Sequence, residues 1–311
     1  MMSGVQTANS VLEEREHSRP YAPVSLLRAD EVPARAREGV AVPNHYRFRH
    51  EIIVQGDELD GTGRVGAASC LCYMDRGRVE SIEGMVGHPS TWLERFAVNV
   101  YRLDLRMGAD AGDTTPLVLR SGLRSASLHR AGIDQRLLNE SGEPVCEATI
   151  EVLFLDAERG LVPVPSSLSE SMLEGEACVP PQPFLPMKEH RWSSPVRVYF
   201  EDTDTLGIVY HANYARFCRR AIAALVPNSH RVRIQRLSMR FMNASVLGDH
   251  LEVHTLPIST DQDQLTVRQQ LVRVSDGQRL VDVHCTVSFH DPSGAVTSIP
   301  AALALSQRRR N

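Results

Sequence analysis

The sequence has few of the features that mark membrane, secreted or nucleic-acid-binding proteins. It contains no hydrophobic run of the roughly 18 residues that a membrane-spanning helix requires. Its N-terminus carries acidic side chains where a secretory signal peptide needs an apolar stretch. We therefore expect a cytoplasmic protein without a membrane span.

Cysteine and basic residues are also too sparse or scattered to indicate a special class. The six cysteines show no disulfide framework. Cys70 and Cys72 are one residue short of the spacing of a zinc-binding pair and have no matching second pair, so we expect small buried side chains. The net charge is -4, and the only dense basic run, 308–310, is interpreted as a solvated tail. No nucleic-acid partner, metal or cofactor is expected.

The distribution of proline and apolar residues divides the 311 residues into five parts. Residues 1–44 show no sustained periodicity and are predicted to be an N-terminal extension. The segment 161–189 contains six prolines, which remove backbone donors from helices and sheets, so it is predicted to be a linker. Two blocks of domain size remain at 45–160 and 190–295, and 296–311 forms a C-terminal tail.

The two blocks resemble each other in sequence. Three pairs of segments align in the same order, with offsets between 135 and 144 residues: 60–65 with 204–209, 112–113 with 248–249, and 137–156 with 272–291. Matching pieces in a constant order are typical of a duplication within one chain. We therefore expect the two blocks to share one fold.

Each block is predicted to contain one helix and a meandering antiparallel sheet. A strand (50–55; 196–200) leads into a helix (67–82; 211–225), and the second block continues with strands at 237–242, 251–257, 264–274 and 279–290. The helix over 211–225 is apolar on more than one face, which indicates that other structure surrounds it. The sequence predicts an α+β fold of two antiparallel sheets, each wrapped around a central helix.

The second block opens with a recognisable motif. The stretch 196–214 reads V-R-x-x-x-x-D-T-D-x-x-G-x-V-Y-H-x-x-Y, and it closely resembles the opening motif of hotdog-fold thioesterases of the 4-hydroxybenzoyl-CoA thioesterase type. It is especially similar to the branch that hydrolyses acyl-CoA and is linked to the Tol-Pal system. The resemblance covers 190–295 directly and 45–160 only through the repeat. It implies a double hotdog, with ligand clefts where the two domains pair, and further association of such chains into a homo-oligomer.

The resemblance also implies the residues of a catalytic site. Asp204 stands at the family's catalytic-acid position, either as a nucleophile or as a general base on water. His211 is expected to position water, to orient Asp204 or to donate to the substrate carbonyl. Backbone N–H groups in the first helical turn would stabilise the oxyanion. Asp202 is interpreted as a structural residue of the loop or a helix cap.

The substrate-binding residues are expected along the same motif: Gly207, Val209, Tyr210, Asn213 and Tyr214. The helix departs from the family pattern, because Arg219 occupies a position where the family commonly has a glutamate.

The first block keeps Asp60 at the position of Asp204 but lacks the rest of the motif. Gly66, Ala67 and Ser69 replace Tyr210, His211 and Asn213 of the second block. Asp60 is therefore a candidate for a second catalytic site, although a first block that serves as scaffold and cleft wall is the preferred interpretation.

The function predicted from these residues is the hydrolysis of an acyl thioester carried by coenzyme A or by an acyl carrier protein, with a fatty-acid or polyketide-type product. A hotdog hydratase or dehydratase is one alternative, but its usual D-x-N-x-x-H arrangement is absent. A non-catalytic acyl-binding or assembly protein is the other, because the first block has lost most of the motif.

Overall fold

The computed structural model describes residues 48–87, 96–156, 158, 160–169, 177–184, 187–204 and 206–303. The predicted N-terminal extension and the end of the predicted tail lie outside the described residues. None of the helices within these ranges has the length and apolar character needed to cross a membrane.

Eleven strands and three α-helices lie in the described ranges. In chain order they are β1 (Phe48–Ile53), α1 (Ala67–Val86), β2 (Ala97–Met107), β3 (Pro116–Ala126), β4 (Arg130–Leu138), β5 (Pro144–Leu155), α2 (Ser166–Ser169), β6 (Trp192–Arg197), α3 (His211–Ala223), β7 (Arg231–Phe241), β8 (His250–Asp261), β9 (Gln264–Arg273), β10 (Arg279–His290) and β11 (Val296–Thr297). The two long helices begin at the predicted residues, 67 and 211. Strand β7 begins at residue 231, six residues before the predicted start at 237.

The order of elements repeats, with a strand, a short 3-10 turn, a helix and four strands in each half of the chain. The two 3-10 turns are built in the same way. Glu58 accepts the backbone N–H of Gln55 at 3.1 Å, and Asp202 accepts that of Tyr199 at 3.0 Å. Asp202 therefore has the structural role expected of it. The halves differ in helix length, since α1 has 20 residues and α3 has 13.

All eleven strands belong to one continuous antiparallel sheet, so the prediction of two separate sheets is corrected. The order is β1-β3-β4-β5-β2-β7-β10-β9-β8-β6, with β11 beside β10. The two halves meet where β2 pairs with β7, from Arg102 opposite Arg240 to Arg106 opposite Arg236. The sheet is continuous because this seam pairs backbone groups that would otherwise form an open edge in each half.

The inner face of the seam lies in the hydrophobic core. Leu103 and Leu105 of β2, with Leu237 and Met239 of β7, are completely buried. Helices α1 and α3 contact each other and both pack against β7. The seam therefore sets the position of one helix relative to the other.

Part of the predicted linker lies against the outer face of the seam. In residues 177–184, here called the strap segment, the Gln182 N–H donates to Asp104 Oδ1 at 3.0 Å. The Phe184 ring centroid lies 5.1 Å from Arg102 Cζ and 5.3 Å from Arg240 Cζ. This part of the proline-rich stretch is thus held by contacts to side chains of both halves rather than by strand pairing.

Replacing Phe184 by alanine tests whether the strap segment stabilises the seam. We expect Phe184→Ala to lower the free energy of unfolding by about 1–2 kcal/mol, because two cation–π contacts are lost. Urea denaturation at constant m-value measures the change. Phe200→Ala serves as the control, since Phe200 is 79% exposed. An equal loss in both variants would contradict a specific role for the strap segment.

Candidate active site

A cleft with a volume of about 390 Å³ lies between the two halves of the chain. Strands β2 and β5 and helix α1 of the first half form one side. The loop before α3, the start of α3 and the end of β7 form the other. Most of the lining side chains are apolar. The charged side chains, with one histidine and one tyrosine, gather where α1 faces the start of α3: Asp75, Arg78, Asp204, His211 and Tyr210.

Asp204 is held by a tight turn directly before α3. Its Oδ1 accepts the backbone N–H of Leu206 at 2.8 Å and that of Ile208 at 3.4 Å. Gly207 completes the turn with a φ of 72°, a conformation that favours glycine. Among the described residues Asp204 Oδ2 has no hydrogen-bond donor, so one oxygen is anchored and the other can meet a ligand.

Asp75, on α1, is the residue of this cleft that sequence reasoning missed. Its carboxylate accepts the Tyr210 hydroxyl at 3.0 Å and the Arg78 guanidinium at 2.5 Å. One signal could have found it: the offset of 144 that relates Asp60 to Asp204 also relates Asp75 to Arg219. The acid that is missing on α3 is therefore present on α1, where it faces the site of the other half.

His211 contacts this pair rather than Asp204. Its Nε2 lies 3.4 Å from Arg78 Nη2. Because a guanidinium can only donate, Nε2 is the acceptor and the proton sits on Nδ1. Burial and the Arg78 charge lower the pKa of His211 to about 4, although Asp75 opposes them. The imidazole is thus neutral near pH 7 and offers an N–H donor.

The two carboxyl groups have opposite pKa shifts. Burial raises the pKa of Asp204, and the charge of Asp75 raises it further against the backbone hydrogen bonds of the turn. Burial also opposes ionisation of Asp75, but the Arg78 charge and the hydrogen bonds from Tyr210 and Arg78 lower the pKa of its carboxyl group. Asp75 is therefore ionised near pH 7, and Asp204 is the more basic carboxylate.

The residues expected to bind substrate fall into two groups. Val209, Tyr210 and Tyr214 line the cleft. Gly207 lies in the turn, outside the lining. Asn213 is buried and points back, donating to the Asp202 carbonyl at 3.0 Å.

The first turn of α3 supplies backbone donors at the same place. The Asn213 N–H bonds to the Tyr210 carbonyl at 2.8 Å, whereas the N–H groups of His211 and Ala212 have no acceptor in the described part of the chain. Such groups at a helix start carry partial positive charge. They can receive a developing oxyanion.

Asp60 lies in a second, smaller cleft of about 190 Å³ at the repeat-related position. Its Oδ1 accepts the Thr62 N–H at 2.8 Å, so the turn resembles that of Asp204. Arg219 of α3 lines this cleft and faces it as Asp75 faces the other. A Cβ added at Gly66, the counterpart of Tyr210, would lie 3.1 Å from Asp60 Cβ, so Asp60 lies directly against this position. In the described ranges, no cluster of histidine, cysteine or acidic residues could hold a metal ion.

Known proteins resemble this chain in sequence and in fold, although no family model matches it. It is 33% identical over 97 residues to the acyl-CoA thioester hydrolase YbgC of Escherichia coli O157:H7, covering 28% of this chain and 71% of that enzyme. It is 40% identical over 67 residues to the acyl-CoA thioesterase YbgC of Helicobacter pylori strain 26695, covering 19% and 50%.

Two solved structures share the fold over most of both chains. The 12:0-ACP thioesterase of Umbellularia californica superposes with a TM-score of 0.66 at 11% identity, over 78% of this chain and 94% of that one. A putative oleoyl thioesterase of Lactobacillus plantarum gives 0.65 at 14% identity, over 77% and 94%. The fold is that of the hotdog-type thioesterases.

The sequence identity to the YbgC enzymes shows the family in addition to the fold. The chain belongs to the family of YbgC-type acyl-CoA thioester hydrolases. It is a thioester hydrolase.

The neutral state of His211 should be visible in the pH dependence of stability. Above pH 6.5 the residue is neutral in both states, but between pH 6.5 and about 4 only the unfolded chain takes up the proton. Stability therefore falls as the pH falls through this window, by at most about 3 kcal/mol. We expect His211→Gln to show a shallower slope than wild type in urea denaturation between pH 4 and 6.5. His250→Gln, at an exposed position, is the control. Equal slopes for wild type and His211→Gln would contradict the assignment.

Proposed function

We propose that the chain hydrolyses an acyl thioester of coenzyme A in the cleft between its two halves, with Asp204 as the catalytic carboxylate. The supporting observation is that Asp204 and His211, whose backbone N–H has no acceptor among the described residues, line the same largely apolar cleft. Apolar walls suit an acyl chain, and convergent polar groups at one end suit the thioester.

In the proposed reaction the ionised Asp204 delivers oxygen to the thioester carbonyl, by direct attack or by taking a proton from water. The N–H groups of His211 and Ala212 stabilise the oxyanion. The neutral imidazole of His211 adds a donor from Nδ1. Since a thiolate leaves readily, no strong general acid is needed.

In this proposal the first half contributes the acyl pocket and one charged pair. Val79 and Ile82 of α1, with Val98 and Val100 of β2, line the cleft that Asp204 faces. Asp75 and Arg78 hold Tyr210 and His211 in place. The first half would thus act as scaffold and cleft wall, as preferred from the sequence.

A tandem arrangement of two domains would fit these separate roles of the two halves. We propose two hotdog domains, at 45–160 and 190–295, that pair within one chain through the continuous sheet. The likeness to solved thioesterases over 77–78% of the chain supports two such units. Further association of these chains and a cytoplasmic location belong to the same proposal.

Coenzyme A is the favoured carrier because the relatives in sequence are named as acyl-CoA thioester hydrolases. A carrier-protein thioester, with a fatty-acid or polyketide-type product, is the second candidate. An acyl-CoA panel and the matching carrier-protein esters distinguish the two, with release of free thiol as the readout.

Replacement of the two repeat-related aspartates tests the location of catalysis. We expect Asp204→Asn to lower kcat by about 100-fold or more, because the carboxylate that supplies oxygen is lost. Asp60→Asn is the matched control and should retain hydrolysis. Undiminished thiol release by Asp204→Asn would refute the proposed site, and loss in Asp60→Asn alone would move it to the other cleft.

The pH profile tests the coupling of Asp75 to Asp204. Since the charge of Asp75 raises the pKa of Asp204, we expect Asp75→Asn to move the acid limb of kcat/KM to lower pH in its residual activity. Circular dichroism checks that the variant is folded, because the buried Arg78 loses its counter-ion. Asp263→Asn, in the exposed β8–β9 turn, should leave the limb in place. A limb that stays or moves to higher pH in Asp75→Asn would argue against the coupling.

A further inference from the structure

The second cleft lies at the repeat-related position, but the helix that faces it carries the opposite charge. Arg216, Arg219 and Arg220 of α3 line it, whereas α1 presents Cys72, Asp75 and Arg76 at the positions related by the repeat. The Asp75 position has therefore changed from an acid to a base. Such a change alters which ligand the cleft can hold.

The arginines of this cleft are incompletely paired. Arg216 donates to Asn213 Oδ1. Arg219 and Arg220 make no side-chain hydrogen bond or ion pair with the described residues. Arg219 is only partly exposed, and burial together with its two arginine neighbours lowers the pKa of its guanidinium, although Asp60 opposes this. A partly buried cation without a hydrogen-bonding partner is costly.

The acids of the cleft cancel only part of these charges. Glu58 is already bonded to Tyr73 at 2.7 Å and to Arg76 at 3.2 Å. Asp60 Oδ1 is bound to Thr62 within its own turn. With Glu58 neutralised by Arg76, three guanidinium groups face two carboxylates, Asp57 and Asp60. The lining carries a positive excess.

From this arrangement we propose that the second cleft binds a phosphate group and has no hydrolytic role. Guanidinium groups match the oxygens of phosphate in forked, charge-assisted hydrogen bonds. The volume of about 190 Å³ and the charged lining fit a compact anion better than an acyl chain. The phosphate can come from coenzyme A or from free inorganic phosphate.

Binding of inorganic phosphate to the full-length protein tests the proposal by calorimetry and thermal unfolding. We expect saturable binding and a rise in Tm for wild type, since a ligand of the folded state stabilises it. Arg219→Ala should weaken phosphate binding about tenfold or more. Arg49→Ala is the control, because Arg49 pairs with Glu51 on β1.

A second variant changes binding in the opposite direction. Asp60→Asn removes a negative charge beside Arg219, so it should tighten phosphate binding. Phosphate-free pantetheine should not compete with phosphate. Competition by coenzyme A identifies it as the source, and absence of competition identifies free phosphate.

Three results would overturn the proposal: no saturable phosphate binding by wild type, unchanged binding by Arg219→Ala, or equal binding of acetate. Loss of stability in Asp60→Asn, without phosphate binding by wild type, would mean that Asp60 itself neutralises Arg219. The experiment measures phosphate binding and not turnover. A negative result would therefore not contradict the proposed hydrolysis at Asp204.

Discussion

The pairing of β2 with β7 is the constraint on which the rest of the structure depends. On the outer face it places Arg102 opposite Arg240 and Arg106 opposite Arg236, and like charges in such cross-strand pairs cost up to about 1 kcal/mol each. Acidic neighbours offset this repulsion, as when Asp282 accepts a hydrogen bond from Arg240 at 2.7 Å. The strap segment adds acceptors and an aromatic ring. On the inner face, burial of four large apolar side chains favours the seam.

The seam also creates the candidate active site. Asp75 and Arg78 belong to the first half, and Asp204 and His211 belong to the second, so neither half alone contains the set. Because α1 and α3 lie against each other, each helix contributes its first turn to one cleft and its middle to the other. Any change that shifts one helix along its partner would alter both clefts.

The proposed tandem arrangement within one chain allows the two clefts to diverge. In a dimer of two identical domains, each helix position occurs in both clefts. Replacing an acid by an arginine would then change both clefts at once. Here Asp75 and Arg219 occupy equivalent positions but face different clefts. The departure of Arg219 from the family pattern therefore does not weaken the cleft of Asp204, since Arg219 belongs to the other cleft.

Much of the local structure could be predicted from the sequence, whereas the assembly of the cleft could not. The motif over 196–214 placed the Asp204 turn and the start of α3 because both depend on nearby residues. Asp75 was missed because its role depends on a contact with Tyr210 across 135 residues of chain. The continuous sheet was missed for the same reason, since β2 and β7 show no sequence signal for their pairing. The ordered part of the linker depends on side chains of both halves.

The electrostatics of the cleft follow from that assembly and separate the two acids. Arg78 is almost completely buried, so it requires a counter-ion, and Asp75 provides one. Burial, with a contribution from the same cation, lowers the pKa of His211 and keeps its imidazole neutral, which excludes it as a strong base near pH 7. Asp204 is left with a raised pKa and one free oxygen. Two carboxyl groups whose surroundings shift their pKa values in opposite directions have different roles in a reaction. In the proposed reaction Asp75 orients and Asp204 reacts.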